Sequence, residues 1–263
     1  MSNEDDLSWL NDVEPSEYID IDERDYVYFI LDGLDIDAQI LAIKRLFDVL
    51  KQEENISGAN VKKMEEYARL HTGIQNERAV EELVALYQES VFRDAANSMA
   101  AVGMLAPTIE SLFYQVFNNI RLKYYSDKTV FSNARFMNGN KNSWDCHYYW
   151  KNENRERNLV KGIIQLAEAI GLSSYLPNDM RITLEALFEY RNNMFHNGFE
   201  WPEKEIKKFD KRINDSKWPE TWFQKAESNY DPWIFYLSEE FINHCIKIVE
   251  SILYGLGAYC KCK

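Results

Sequence analysis

Helical periodicity recurs along this chain from residue 35 to residue 259, whereas almost no stretch alternates with the two-residue period of a strand. A chain patterned this way buries its apolar stripes by packing helix on helix, so the expected fold class is all-α, a helical bundle. Asp35 or Asp37 can cap a first helix whose Ile40, Ile43, Leu46, Phe47 and Leu50 fall on one side. A shorter helix over about 60–70 follows Ser57-Gly58, and from Asn76 a long pattern carries Val80, Leu83, Val84, Tyr87, Val91 and Phe92 into a run of small residues at 95–104. Pro107 either kinks this helix or stands near the first turn of the next, which reaches about Tyr124. Further helices are expected over 154–170, over 178–196, and from Trp233 to about Ala258.

Two stretches interrupt the pattern. Residues 126–152 are rich in Asn, Ser, Lys and aromatics without a clear period, and residues 200–231 contain the breakers Trp201-Pro202, Trp218-Pro219 and Asp231-Pro232. Both are expected as long irregular insertions, the second holding short helices. The chain accordingly divides into an acidic disordered tail over 1–25, an N-terminal helical region over 26–94, and a helical bundle with its insertions over 95–263.

With 263 residues, 46% of them hydrophobic, there is ample material for a core. No run of 18 apolar residues occurs, and Met1 to Asp6 is acidic rather than basic. A soluble cytoplasmic protein with no membrane partner is therefore expected. The four cysteines form no C-x-x-C pair and are expected as free thiols, with no metal site. Nor is there a Walker loop, a G-x-G-x-x-G, an H-E-x-x-H or a G-x-S-x-G, so no cofactor is expected.

The net charge of −13 speaks against a nucleic-acid partner until its distribution is read. Residues 1–25 hold ten acids against Arg24 alone, while residues 118–163 hold nine bases against four acids. Tyr124, Tyr125, Phe131, Phe136, Trp144, Tyr148, Tyr149 and Trp150 lie among those bases. Stacking rings interleaved with cations is how single-stranded RNA is often held, which makes Arg121, Lys123, Arg135, Lys141, Lys151, Arg155 and Arg157 candidate RNA contacts. The competing reading is a loop with its aromatics turned inward. For the tail, a solvated extension competes with a segment that occupies the basic groove as an RNA mimic.

The octet Arg191-Asn192-Asn193-Met194-Phe195-His196-Asn197-Gly198 closes the 178–196 helix, with Gly198 suited to a left-handed cap. At about 100° per residue, Arg191 falls within an apolar stripe of Leu184, Leu187, Phe188, Met194 and Phe195. Asn192 and His196 share a polar face with Glu185 and Glu189. Arg191 and His196 themselves point about 140° apart, so the reach of the arginine, fraying, or a second subunit must bring them together.

At these residues the chain resembles the HEPN family, the nucleotide-binding domains of higher eukaryotes and prokaryotes, whose signature is R-x(4–6)-H with a polar residue, often Asn, after the Arg. Arg191, Asn192 and His196 match it position by position. The resemblance extends loosely over 95–200 and 232–259, and not over the first 75 residues. It implies a helical bundle that dimerises with its motifs facing each other, and commonly a metal-independent endoribonuclease of toxin–antitoxin or phage-defence systems. No paired-aspartate nucleotidyltransferase signature is present, so an antitoxin or regulatory protein is expected as a separate chain.

Such cleavage needs a base for the ribose 2′-hydroxyl proton, a cation for the phosphorane-like transition state, and in-line geometry. Histidine titrates near neutrality, which fits His196 to proton transfer. The planar fork of Arg191 fits two phosphate oxygens. Asn192 can orient the imidazole or donate to phosphate, and Glu110 and Glu189 are candidate supporting acids. A site with one imidazole needs either a second copy across a dimer or a water for the other proton-transfer role, which is a further reason to expect a homodimer. The alternative function is a non-catalytic helical module that binds RNA or protein.

Overall fold

The computed structural model describes residues 21–31, 33–125, 134–137, 142–152, 154–228 and 231–263. Among them the fold is mostly α-helical, as expected, with two small antiparallel hairpins added.

Helix α1 (Ile36–Leu70) opens on the cap expected of Asp35, whose side chain accepts from the Ala38 amide. It runs unbroken through Ser57-Gly58, where two helices were expected. A single helical glycine costs about 1 kcal/mol, too little to break a helix that lies along its neighbour. His71 is extended and Gly73 takes φ 65°, which turns the chain back into α2 (Ile74–Tyr124). At about 1.5 Å per residue, α2 is roughly 77 Å long and continues unbroken through Pro107. It contains an 18-residue window of mean hydropathy 1.2, half of it buried in the body.

The second half of α2 is the spine of the core: Val102, Leu105, Ile109, Leu112, Phe113, Val116, Phe117 and Ile120 are buried. Around it pack α4 (Leu159–Ala169), α5 (Met180–Asn197) and α7 (Glu239–Lys261). The N-terminal region joins the same core through Val27, Ile30, Leu31, Ile36, Ile40 and Ile43, and Asn119 Nδ2 donates to the Ile30 carbonyl at 2.7 Å. A Cβ on Gly257 of α7 would stand 1.8 Å from the Glu23 carbonyl oxygen, so the chain at 23–24 lies directly on that helix. Residues 21–25 are thus part of the folded body, not of a disordered tail; residues 1–20 lie outside the described residues.

The insertions hold more regular structure than their composition suggests. The four-residue helix α3 (Ala134–Met137) precedes a hairpin of β1 (Tyr148–Lys151) and β2 (Asn154–Arg157), in register Tyr148 with Arg157 and Trp150 with Arg155. The helix expected from 154 begins only at Leu159, because Asn158 caps it through the Lys161 amide. The later insertion forms α6 (Glu203–Asp215) and a bulged hairpin of β3 (Phe223–Ser228) and β4 (Asp231–Leu237). Trp233–Leu237, expected to start the closing helix, is a strand, and α7 starts after Ser238, whose Oγ accepts from the Phe241 amide.

Candidate active site

Tyr190, one position before the motif, fixes α5 in place. It is fully buried and donates to the Phe235 carbonyl at 3.0 Å. Trp201, Phe209 and Phe223 surround its ring. Met194 is buried on the same side. These anchors leave Arg191, Asn192 and His196 on the open side of the helix. At its end, Gly198 takes φ 73° and ψ −147°, a positive-φ cap but not the left-handed helical one expected, and returns its amide to the Met194 carbonyl.

Arg191, Asn192 and His196 line one cleft of about 630 Å³ together with Glu110, His147, Arg157, Lys161, Glu185, Glu189 and Arg212. Arg191 and His196 border the same cleft although they point apart along the helix. The Arg191 guanidinium lies over the Phe195 ring at 5.7 Å and donates from Nη1 to Asn192 Oδ1 at 3.2 Å, which swings it toward the polar face. Arg191 makes no ion pair among the described residues. His196 also borders a second hollow of about 410 Å³ with Asn193, Lys204, Glu205 and Lys208, so its ring stands on the rim between two openings.

Glu189 lies on the wall beside Asn192. Glu110 lines the same cleft as the motif, and His147 Nε2 lies 2.9 Å from its Oε1. The other ring nitrogen, Nδ1, lies 2.6 Å from Asp145 Oδ1, which also accepts from the His147 amide. The local sequence does not single out His147, because one of its two carboxylate partners lies 37 residues upstream.

The loop that carries His147 is held by packing and by a buried cation. A Cβ on Gly162 of α4 would stand 1.9 Å from the Cys146 carbonyl oxygen, so the loop rests directly on that helix. Arg135, expected as an RNA contact, is instead wholly buried. It donates to the carbonyls of Ser143, Tyr148 and Asp145 and to Gln165 Oε1. Burial lowers its pKa to about 10, and it remains charged at neutrality.

The remaining candidate RNA contacts scatter. Arg157 lines the cleft, and Arg155 lies over the Tyr148 ring at 3.8 Å on the adjoining hairpin, with Lys151 exposed near its tip. Arg121 and Lys123 sit about 16 Å or more beyond Glu110 along α2. Lys123 donates to the Phe29 carbonyl, which ties it to the fold. Lys141 lies outside the described residues. The inward reading suits several aromatics: Trp150 is buried, and Trp144 and Phe136 pack against the core. Arg212 joins the cleft from the second insertion, unanticipated by the sequence pattern.

Asp145, Cys146 and His147 place one ligand atom each within 4.8 Å of one another. Burial pushes the Cys146 thiol up to about 12, and both His147 nitrogens already face carboxylates, so this set is poorly suited to a cation. The four cysteines are free thiols. Compared with family models, with curated protein sequences and with solved structures, the chain has no match.

Proposed function

We propose that this chain is a metal-independent endoribonuclease of the HEPN type, acting as a toxin or phage-defence effector. The observation that carries the reading is the single cleft in which Arg191, Asn192 and His196 stand with three further cations, Arg157, Lys161 and Arg212.

In this reading a phosphodiester lies across the cleft with its nonbridging oxygens on the Arg191 fork. Neighbouring phosphates meet Arg157, Lys161 and Arg212. The first turn of α4, which lines the same wall, adds the positive end of a helix. His196 takes the 2′-hydroxyl proton, the 2′-oxygen bonds to phosphorus, and the bond from phosphorus to the 5′-oxygen breaks. The products are a 2′,3′-cyclic phosphate and a 5′-hydroxyl. Asn192 positions the guanidinium through its carbonyl oxygen.

Purified protein incubated with RNA in chelator tests the reading. Wild type cleaves, and His196→Ala cleaves at least about 100-fold more slowly. Equal cleavage by the two proteins, or none by either, overturns it.

A further inference from the structure

The departing 5′-oxygen needs a proton, and an imidazole that has just accepted one from the 2′-hydroxyl is poorly placed to give it to the opposite side of the phosphorus. The cleft contains a second imidazole on a different wall: His147 comes from the loop before β1, whereas His196 comes from α5. We propose that His147, held between Asp145 and Glu110, is the general acid that protonates the leaving 5′-oxygen, so that one chain carries both imidazoles of the reaction. The inference rests on the nuclease reading of the cleft.

The hydrogen bonding argues for this role. Asp145 is an acceptor for Nδ1 at 2.6 Å, and Glu110 is an acceptor for Nε2 at 2.9 Å. Each contact is satisfied when the facing nitrogen carries a hydrogen, the form of the ring that has a proton to give. The Asp145 contact also fixes the ring's orientation, since Asp145 accepts from the His147 amide as well as from the ring. Glu110 and His147 both line the cleft, whereas Asp145 does not, so the Nε2 contact is the one made between two cleft residues. The Tyr114 ring flanks the imidazole at 5.8 Å.

The step balances. His196 gains the 2′-hydroxyl proton as the oxygen–phosphorus bond forms. His147 gives the Nε2 proton to the 5′-oxygen as its bond to phosphorus breaks, the leaving oxygen replacing Glu110 Oε1 as the acceptor. Solvent returns both groups to their starting states. A second copy of the chain is then not required to supply the acid.

The test compares ordinary RNA with an oligonucleotide whose bridging 5′-oxygen is replaced by sulfur at a linkage the wild type cuts. A thiolate leaves without a proton, so loss of the general acid does not slow its departure. His147→Gln is expected to cut ordinary RNA about 100-fold or more slowly than wild type, yet to cut the sulfur-bridged linkage within about tenfold of wild type. His196→Ala is expected to be slow on both. A His147→Gln protein that cuts ordinary RNA at the wild-type rate, or that loses both substrates equally, overturns the inference. Thermal melting reports folding separately, and His147→Asn carries the comparison if His147→Gln melts early. No cleavage by wild type overturns the nuclease reading, and this inference with it.

Discussion

His147 Nε2 and Glu110 Oε1 lie 2.9 Å apart across 37 residues of sequence, and this contact joins the loop before β1 to the middle of α2. It decides which wall of the cleft each group occupies. Glu110 is paired with the imidazole, and the Arg191 guanidinium makes no ion pair among the described residues. A phosphate bound there would meet a cation not already neutralised.

Glu110→Gln keeps a hydrogen-bonding side chain beside His147 but removes its charge. Both partners are a quarter to a third exposed, so the stability loss is expected below about 1 kcal/mol. RNA cleavage is expected to slow well beyond that loss. Thermal melting and single-turnover kinetics separate the two effects.

Arg191→Lys is expected to leave stability within about 0.5 kcal/mol, since Arg191 is partly exposed and makes no ion pair. Its point charge cannot hold two phosphate oxygens as the planar fork does. Cleavage is therefore expected to fall by about 10-fold or more while melting is unchanged. Retention of the full rate would show that the fork is not used.

Arg135 and Arg157 are expected to behave oppositely. Arg135→Ala strands the carbonyls of Ser143, Asp145 and Tyr148 in a buried site and should destabilise the fold by about 3 kcal/mol or more. Arg157→Ala, on the exposed wall of the cleft, should leave melting unchanged, weaken RNA binding and reduce the slope of log affinity against log salt by about 1. Urea melts and salt-titrated binding measure these.

Asp94 lines a separate hollow with Phe47, Lys51, Glu54 and Tyr236, and burial, assisted by Glu54, raises its pKa to about 6. A carboxyl whose folded pKa lies above its unfolded value binds more protons when folded, so its contribution to stability falls as pH rises between the two values. Between about pH 4 and about pH 6 Asp94 therefore opposes folding increasingly as pH rises. Asp94→Asn should flatten that part of the stability profile and melt higher than wild type at pH 7, as denaturant titrations at a series of pH values would reveal.

The motif helix was legible because its pattern is local: an apolar stripe, a polar stripe and Gly198 at its end. The hairpins were not, because strands of four to seven residues leave too little alternation to outweigh the surrounding helical period. Trp233–Leu237 is an unbroken apolar and aromatic run compatible with either period, and the cap at Ser238 decides it. Arg135 looked like an RNA contact because it lies in a segment that interleaves bases with aromatics, yet it serves carbonyls that only the folded loop brings together. His147 was passed over for the same reason. A lone histidine is uninformative until its distant carboxylate is seen, whereas Arg191 and His196 lie within one helix.

Cleavage of the proposed kind needs the ribose 2′-hydroxyl and no metal. The most direct measurement offers the protein, in chelator, an RNA and the same sequence made wholly with 2′-O-methyl riboses, followed by end-group analysis of any fragments. Cleavage of the RNA alone, leaving 2′,3′-cyclic phosphate and 5′-hydroxyl ends, is the predicted result. Cleavage of both oligonucleotides, or of neither, would contradict it.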